Sequence, residues 1–259
     1  MPGTEHVIAS LTHLNFRDLG GLPLAGGRRV KHHTLYRGPG PARLDDTHRD
    51  TLRSLGIRLV CDLRSEPERA DGLHDCVAAE LLRLDLANDF ADEASHGFRL
   101  LRERPDEEGA RTAMRTIYAA MPGALRTQWP ALLGAIADGR VPVLVHCSAG
   151  KDRTGVLLAL LLLFLGAPEE AVRRDYLRSA YEGAAPHGYR GASSPIGQLL
   201  SSTPDPGIIA ALKGVDASYL ATALDVVHRG WRSVDGYFAS IDVGPAERAR
   251  LLDVVAEPA

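Results

Sequence analysis

Cys147 and Arg153 stand five intervening residues apart in the stretch from Val141 to Gly155, V-P-V-L-V-H-C-S-A-G-K-D-R-T-G. The thiolate is the nucleophilic form of cysteine, and a free thiol titrates near ~8.5 unless a helix N-terminus or neighbouring cations favour the anion. A guanidinium offers a planar fork that matches two oxygens of a tetrahedral anion. A loop of this length wraps such an anion with the sulfur beneath it and the fork across two oxygens. The residues between suit that task. Ser148, Ala149 and Gly150 are small enough for backbone N–H groups to converge, and Gly150 fits a position of positive φ or close backbone approach. Converging N–H groups also stabilise a thiolate while no anion is bound. Thr154 is placed to donate its hydroxyl to the sulfur. The chemistry implied is in-line attack of Cys147 on phosphorus, then hydrolysis of the cysteinyl phosphate. Arg153 would stabilise charge on the equatorial oxygens in both steps.

Such a loop needs a strand before it and a helix after it. Val141 to Val145 is a short, β-branched apolar run that predicts a buried strand, and Val156 to Leu165 predicts a core helix stopped by Gly166 and Pro168. The turn between them aims N–H groups and the positive end of the helix dipole at one point.

At these residues the chain resembles a known family. His146-Cys147-Ser148-Ala149-Gly150-Lys151-Asp152-Arg153-Thr154-Gly155 resembles the signature of cysteine-dependent protein tyrosine phosphatases. More narrowly, it is similar to the bacterial branch of tyrosine and dual-specificity phosphatases, some of which also act on phosphoinositides. The Lys151-Asp152 pair marks that branch, and lipid phosphatases of the myotubularin and Sac types likewise place an aspartate directly before the arginine. The resemblance implies a protein tyrosine phosphatase-like fold with a helical lid insertion. It also implies a phosphorylated protein or phosphoinositide as substrate, with Ser148, Ala149, Gly150, Lys151 and Thr154 around the phosphate. Asn15-Phe16-Arg17-Asp18-Leu19-Gly20-Gly21 resembles the family's opening block, although a structural Arg17–Asp18 bridge is the simpler reading. Asp62-Leu63-Arg64-Ser65 with Glu68 resembles a block near the site. Val234-Asp235-Gly236-Tyr237 resembles the C-terminal block.

The remaining elements read as one α/β domain over residues 1–259. Leu35 to Arg37, Ile57 to Leu63 and Leu81 to Leu86 predict strands, and Leu44 to Leu55 a helix ended by Gly56. This strand–helix–strand order predicts a central, mostly parallel sheet flanked by helices. Asp62 and Arg64 fall at the carboxyl end of a strand, where open α/β sheets place ligands, so both are candidate substrate-binding residues beside the plainer reading of a loop-bracing pair. Asn88 to Gly109 reads as too charged for core and long for a plain connection, a stretch that borders the active site or is mobile. Ala110 to Met121 and Ala124 to Asp138 predict two helices separated at Pro122-Gly123. Glu169 to Tyr181 is amphipathic and helical, residues 183–214 are where the resemblance implies the lid, beside the plainer reading of a surface insertion, and helical patterns return from Asp216 to Leu252.

A general acid must protonate the leaving oxygen. No W-P-D triplet is present, because Trp129-Pro130 is followed by Ala131. Asp152 is the first choice since the family places an acid there, and a carboxyl beside a bound phosphate is pushed toward its protonated form. Asp62 and Asp85 are runners-up, and a helix-capping or Arg153-orienting role stays open for Asp152. Lys151 adds a cation that favours more anionic ligands. His146 reads as a hydrogen-bonded brace. The histidines lack metal-ligand spacing and no cofactor is implied.

The composition fits a globular enzyme: 45% of residues are hydrophobic and 24% charged. A net charge of −3 argues against a nucleic-acid surface. The ten-residue apolar run from Val156 is half of the ~20 residues that a membrane span needs. Three cysteines without disulfide or metal spacing, and no visible Sec-type signal in Met1 to Ser10, lead to the expectation of a cytoplasmic protein. Export by a route without such a signal is left open, as is the oligomeric state. Two readings from other classes compete: a rhodanese-like sulfurtransferase, which would not need Arg153-Thr154, and an inactive phosphoprotein-binding relative, which would usually lack Cys147 or Arg153.

Overall fold

The computed structural model describes residues 11–40, 45–69, 79–84, 86, 88–180 and 205–259. Its centre is a five-stranded sheet of β1 (Arg17–Asp18), β4 (Leu35–Gly38), β5 (Leu59–Asp62), β6 (Glu80–Arg83) and β7 (Val143–His146), in the order β1-β4-β7-β5-β6. The last four strands of that order run parallel and only β1 at the edge is antiparallel. Every residue of β4, β7 and β5 is buried, as expected for strands covered on both faces. Their side chains alternate in the expected way. Tyr36, Val60 and Leu144 pack with Phe16, Leu52 and Ile57 beneath α1 (Asp46–Ser54), whereas Leu35, Leu59, Cys61, Val143 and Val145 face the larger core. The predicted α/β architecture is therefore the observed one.

That larger core lies under α2 (Asn88–Glu103), α3 (Glu107–Leu125), α4 (Trp129–Ala137), α5 (Asp152–Phe164), α6 (Glu169–Leu177), α7 (Pro206–Lys213), α8 (Ala217–Trp231), α9 (Val234–Ala239) and α10 (Pro245–Val255). Helix α5 is apolar around nearly its whole circumference, the pattern of a helix buried on all sides, and it packs against α3, α6, α8 and α9. A small antiparallel sheet of β2 (Pro23–Leu24), β3 (Arg28–Val30) and β8 (Ala256–Pro258) ties the two ends of the described chain together.

Three sequence readings need correction. The polar stretch after β6 is a 16-residue helix, α2, because Ala94, Phe98 and Leu101 recur on one face and Phe98 and Leu101 are buried. Helix α3 continues through Pro122-Gly123, and the chain breaks at residues 126–128 instead. The carbonyl of Pro122 accepts the Tyr237 hydroxyl, which fixes that turn in place. Arg17 does not pair with Asp18. Asp18 accepts from the backbone N–H groups of Gly20 and His33, and Arg17 turns inward to Asp175. Residues 183–204 of the expected lid, together with the runner-up acid Asp85, lie outside the described residues. The described end of that stretch contains α7, whose Ile208, Ala211 and Leu212 are buried. No single described helix is long and apolar enough to cross a membrane; α7 and α8 meet that test only jointly, bent by 48°.

Candidate active site

Residues 147–151 link the end of β7 to the start of α5, so Cys147 sits at the carboxyl edge of the sheet and below the N-terminus of a 13-residue helix. Its side chain is buried. Gly150 adopts φ +67°, and a Cβ there would lie 2.1 Å from the Gly38 carbonyl oxygen, so both the conformation and the space demand glycine. The loop carbonyls are all engaged. Cys147 O accepts from His146 Nδ1 at 3.2 Å, Ser148 O from the Gly40 N–H at 3.2 Å, and Ala149 O from Asn15 Nδ2 at 3.1 Å. Gly150 O accepts from both Asn15 Nδ2 at 3.1 Å and Arg37 Nη2 at 2.9 Å. Among the described residues nothing accepts from the N–H groups of Ser148, Ala149, Gly150 or Lys151.

Arg153 is held as a fork. Its Nη1 and Nη2 donate to Glu68 Oε2 and Oε1 at 2.6 and 2.7 Å, and Nη1 also reaches Leu63 O at 3.1 Å. Glu68 further accepts from Ser148 Oγ and from Ser65 through both its N–H and hydroxyl. Burial pushes the Glu68 carboxyl up, but the hydrogen bonds and charge of Arg153, with Ser148 and Ser65, outweigh that and hold it well below the usual carboxylate range. Burial alone would lower the Arg153 guanidinium; Glu68 reverses the sign, and the group is a permanent cation.

Behind the loop lies a buried ionic brace. Asp175 on α6 accepts from Arg17 Nε at 2.7 Å and Arg37 Nη1 at 2.6 Å, while Arg17 Nη1 donates to Asn15 Oδ1 at 2.6 Å. Burial would raise the Asp175 carboxyl, but the two guanidinium groups overcome it and keep it ionised. Asp62 is likewise buried and accepts from the Arg64 backbone N–H, Nε and Nη2; these bonds and His146 prevail over desolvation and lower its titration. Arg64 Nη1 in turn donates to the Glu68 carbonyl at 3.3 Å. Asp62 and Arg64 thus steady the turn that presents Glu68 to Arg153.

Asp152 opens α5, and its Oδ1 accepts the Tyr118 hydroxyl at 2.6 Å. Lys151 departs from the sequence reading. Its ammonium donates to the carbonyls of Leu212, Lys213 and Gly214 at 3.0, 3.0 and 2.9 Å, capping the C-terminal end of α7, and lies 3.5 Å from Asp152 Oδ1. Its three hydrogen bonds are thus spent on the end of α7. The Thr154 hydroxyl is buried and makes no hydrogen bond among the described residues, so its expected bond to sulfur is not formed in this geometry.

A sequence profile of the tyrosine phosphatase family matches residues 9–256. The chain belongs to the tyrosine phosphatase family. A Cupriavidus necator protein assigned to the tyrosine-protein phosphatases is 33% identical over 240 residues, covering 90% of this chain and 83% of that protein. The triple specificity protein phosphatase PtpB of Mycobacterium tuberculosis is 32% identical over 271 residues, covering 93% and 96%. A tyrosine-protein phosphatase of Nostoc commune is 30% identical over 224 residues, covering 81% of this chain and 69% of its own.

Within this phosphatase the structure brings Cys147, Ser148, Ala149, Gly150, Asp152, Arg153 and Thr154 into one loop and helix start, as their contiguity requires. What sequence reasoning missed are the supports drawn from far along the chain. Glu68 was visible only as part of a resembling block, with no role. Asn15, like Glu68, stands inside a resembling block with no role attached, and Arg37, Asp175 and Tyr118 carry no local signal of the distant partners they meet.

Proposed function

We propose that this phosphatase hydrolyses phosphotyrosine through a cysteinyl-phosphate intermediate, with phosphoserine/threonine and phosphoinositides as further substrates to be compared. Cys147 Sγ attacks phosphorus in line, and the P–O bond to the leaving group breaks as Asp152 supplies a proton to that oxygen. Water then attacks the phosphocysteine, Asp152 takes its proton, and the thiolate leaves. Arg153 spans two phosphoryl oxygens in both steps, assisted by the loop N–H groups. The observation that carries this reading is the Arg153 fork fixed by Glu68 beside a loop whose carbonyls all turn outward. A sulfurtransferase would have no use for that fork, and an inactive binder would have no use for the buried thiol beneath it.

Breadth toward other phosphomonoesters is suggested by the Mycobacterium tuberculosis relative, a triple specificity protein phosphatase. We place the site of action in the cytoplasm, where a reducing milieu suits the free Cys61 and Cys147. Cys147→Ser tests the nucleophile. Rapid quenching with labelled phosphotyrosine should trap a phosphoenzyme in the parent protein and none in the variant, whose turnover should fall by at least about 10³-fold. A serine variant retaining a few per cent of turnover would overturn covalent catalysis at Cys147. Side-by-side turnover of phosphopeptides and phosphoinositide vesicles ranks the substrates.

A further inference from the structure

We infer that Tyr118, itself hydrogen-bonded by Tyr176, is a positioning residue that assigns the labile proton of Asp152 to its outer oxygen, Oδ2. This rests on the reading of Asp152 as the acid. The two carboxyl oxygens of Asp152 differ sharply in their surroundings. Oδ1 accepts the Tyr118 hydroxyl at 2.6 Å and lies 3.5 Å from the Lys151 ammonium. No described residue hydrogen-bonds Oδ2, and the Asp152 side chain is 24% exposed, so one oxygen is tied inward while the other is available.

The direction of the bonds follows from counting protons. Tyr118 has one hydroxyl proton and two contacts, Asp152 Oδ1 and Tyr176 Oη at 2.8 Å. A proton on Oδ1 would point either at the Tyr118 oxygen, reversing the whole chain, or toward the Lys151 cation. With the cation nearby, the negative end of the carboxyl is favoured at Oδ1, so Tyr118 donates to Asp152 and Tyr176 donates to Tyr118. The proton of neutral Asp152 then resides on Oδ2. Both tyrosines are buried, and desolvation pushes both hydroxyls above the ordinary tyrosine range, with the Asp152 charge adding to it. They remain donors throughout the working range.

The rings leave little freedom. Tyr118 on α3 meets Tyr176 on α6 edge-on, with centroids 6.3 Å apart and planes at 82°, and Tyr219 on α8 lies 5.5 Å from it. Tyr219 is itself anchored by donating to Ala211 O. Tyr176 also presses on α5, since a Cβ at Gly155 would come within 2.9 Å of its ring. The Tyr118 bond is the same whether Asp152 is neutral or ionised. Asp152 can therefore release its proton from Oδ2 in the first step and take one there in the second without rotating, a preorganised arrangement.

The test is Tyr118→Phe in the full chain, measured on aryl phosphates from p-nitrophenyl phosphate to phenyl phosphate and phosphotyrosine. An acid matters most where the leaving group is poor. The loss should be within about threefold for p-nitrophenyl phosphate and on the order of tenfold for phenyl phosphate and phosphotyrosine, with inhibition by orthovanadate retained. Added to Asp152→Asn, it should cause no further loss, because the group it positions is gone. An even loss across the series, or full additivity with Asp152→Asn, overturns the inference. Should Asp152→Asn itself show no leaving-group dependence, the acid assignment fails first. A dependence in Asp152→Asn but not in Tyr118→Phe overturns the positioning role alone. Tyr176→Phe keeps the Tyr118 donor and should give the same trend at smaller amplitude; an unchanged slope in both tyrosine variants refutes the relay even where one of them folds poorly.

Discussion

Glu68→Gln isolates the support of Arg153 from the arginine itself. The Glu68 carboxylate accepts two hydrogen bonds from Arg153, two from Ser65 and one from Ser148. Glutamine keeps the volume but loses the charge, and its NH₂ must face a donor on one side or the other. Removing one partner of a buried ion pair costs about 3–5 kcal/mol. Here the Arg153 and Glu68 side chains are 16% and 32% exposed, so solvent screening brings the figure to the lower end. A phosphoryl group approaching the freed guanidinium recovers part of it, leaving about 2 kcal/mol of lost transition-state stabilisation. That corresponds to roughly a 30-fold drop in kcat/KM. The assay is kcat/KM on p-nitrophenyl phosphate with the inhibition constant of inorganic phosphate measured beside it. The folded-state titration of Glu68 is depressed below its unfolded value near ~4.3. Its contribution to stability is therefore complete above that value and lost as pH falls through the lower folded one. Across pH 5–8 the ratio of parent to variant activity should stay constant, whereas their stability difference should shrink below about pH 4. Activity within twofold of the parent, or a ratio that changes between pH 5 and 8, would refute Glu68 as the support of Arg153.

Two further outcomes follow from the loop and its neighbours. Gly150→Ala forces a side chain into the left-handed region, about 1–2 kcal/mol by conformation alone, and into the Gly38 carbonyl, so Tm should drop by several degrees and turnover by about 100-fold or more; an unchanged Tm contradicts the geometry. Lys151→Met keeps the stem but uncaps α7, so amide exchange over Pro206–Lys213 should accelerate by at least about tenfold relative to α5. A raised KM with unchanged exchange would instead assign the ammonium to substrate.

The loop from Cys147 to Arg153 was legible because its residues are consecutive, and the central sheet because its strands, such as Leu59 to Cys61 and Val143 to Val145, are short apolar runs closed by a polar residue, Asp62 or His146. Helix α2 was obscured by composition: Asp89, Asp92 and Glu93 suggest a loop, although Ala94, Phe98 and Leu101 keep a helical interval. Pro122-Gly123 misled in the opposite sense. Tertiary contacts hold that turn, with Tyr237 bridging Pro122 O and Trp129 Nε1, so a local breaker signal lost to packing from over a hundred residues away. The supports of the site are long-range in the same way. Arg17 reads as the partner of Asp18 next to it, and only the fold brings Asp175 closer to its guanidinium.

That brace explains why a loop can be specific for an anion without many charged side chains of its own. A peptide unit is planar and trans, so its carbonyl and the following N–H point in opposite directions. Turning the Cys147 carbonyl to His146 aims the Ser148 N–H the other way, and the Ser148 carbonyl, held by Gly40, does so for Ala149. Asn15 at the Ala149 carbonyl fixes the Gly150 N–H, and Asn15 with Arg37 at the Gly150 carbonyl fixes that of Lys151. Four consecutive donors are thereby oriented by the bonds made to the carbonyls that precede them. The charge balance beneath them has the same sense. Two guanidinium groups share the single carboxylate of Asp175, leaving an excess positive charge next to the Gly150 carbonyl. A phosphate dianion or a thiolate on the other side of the loop meets both that excess and the helix dipole of α5, whereas a neutral ligand gains from neither.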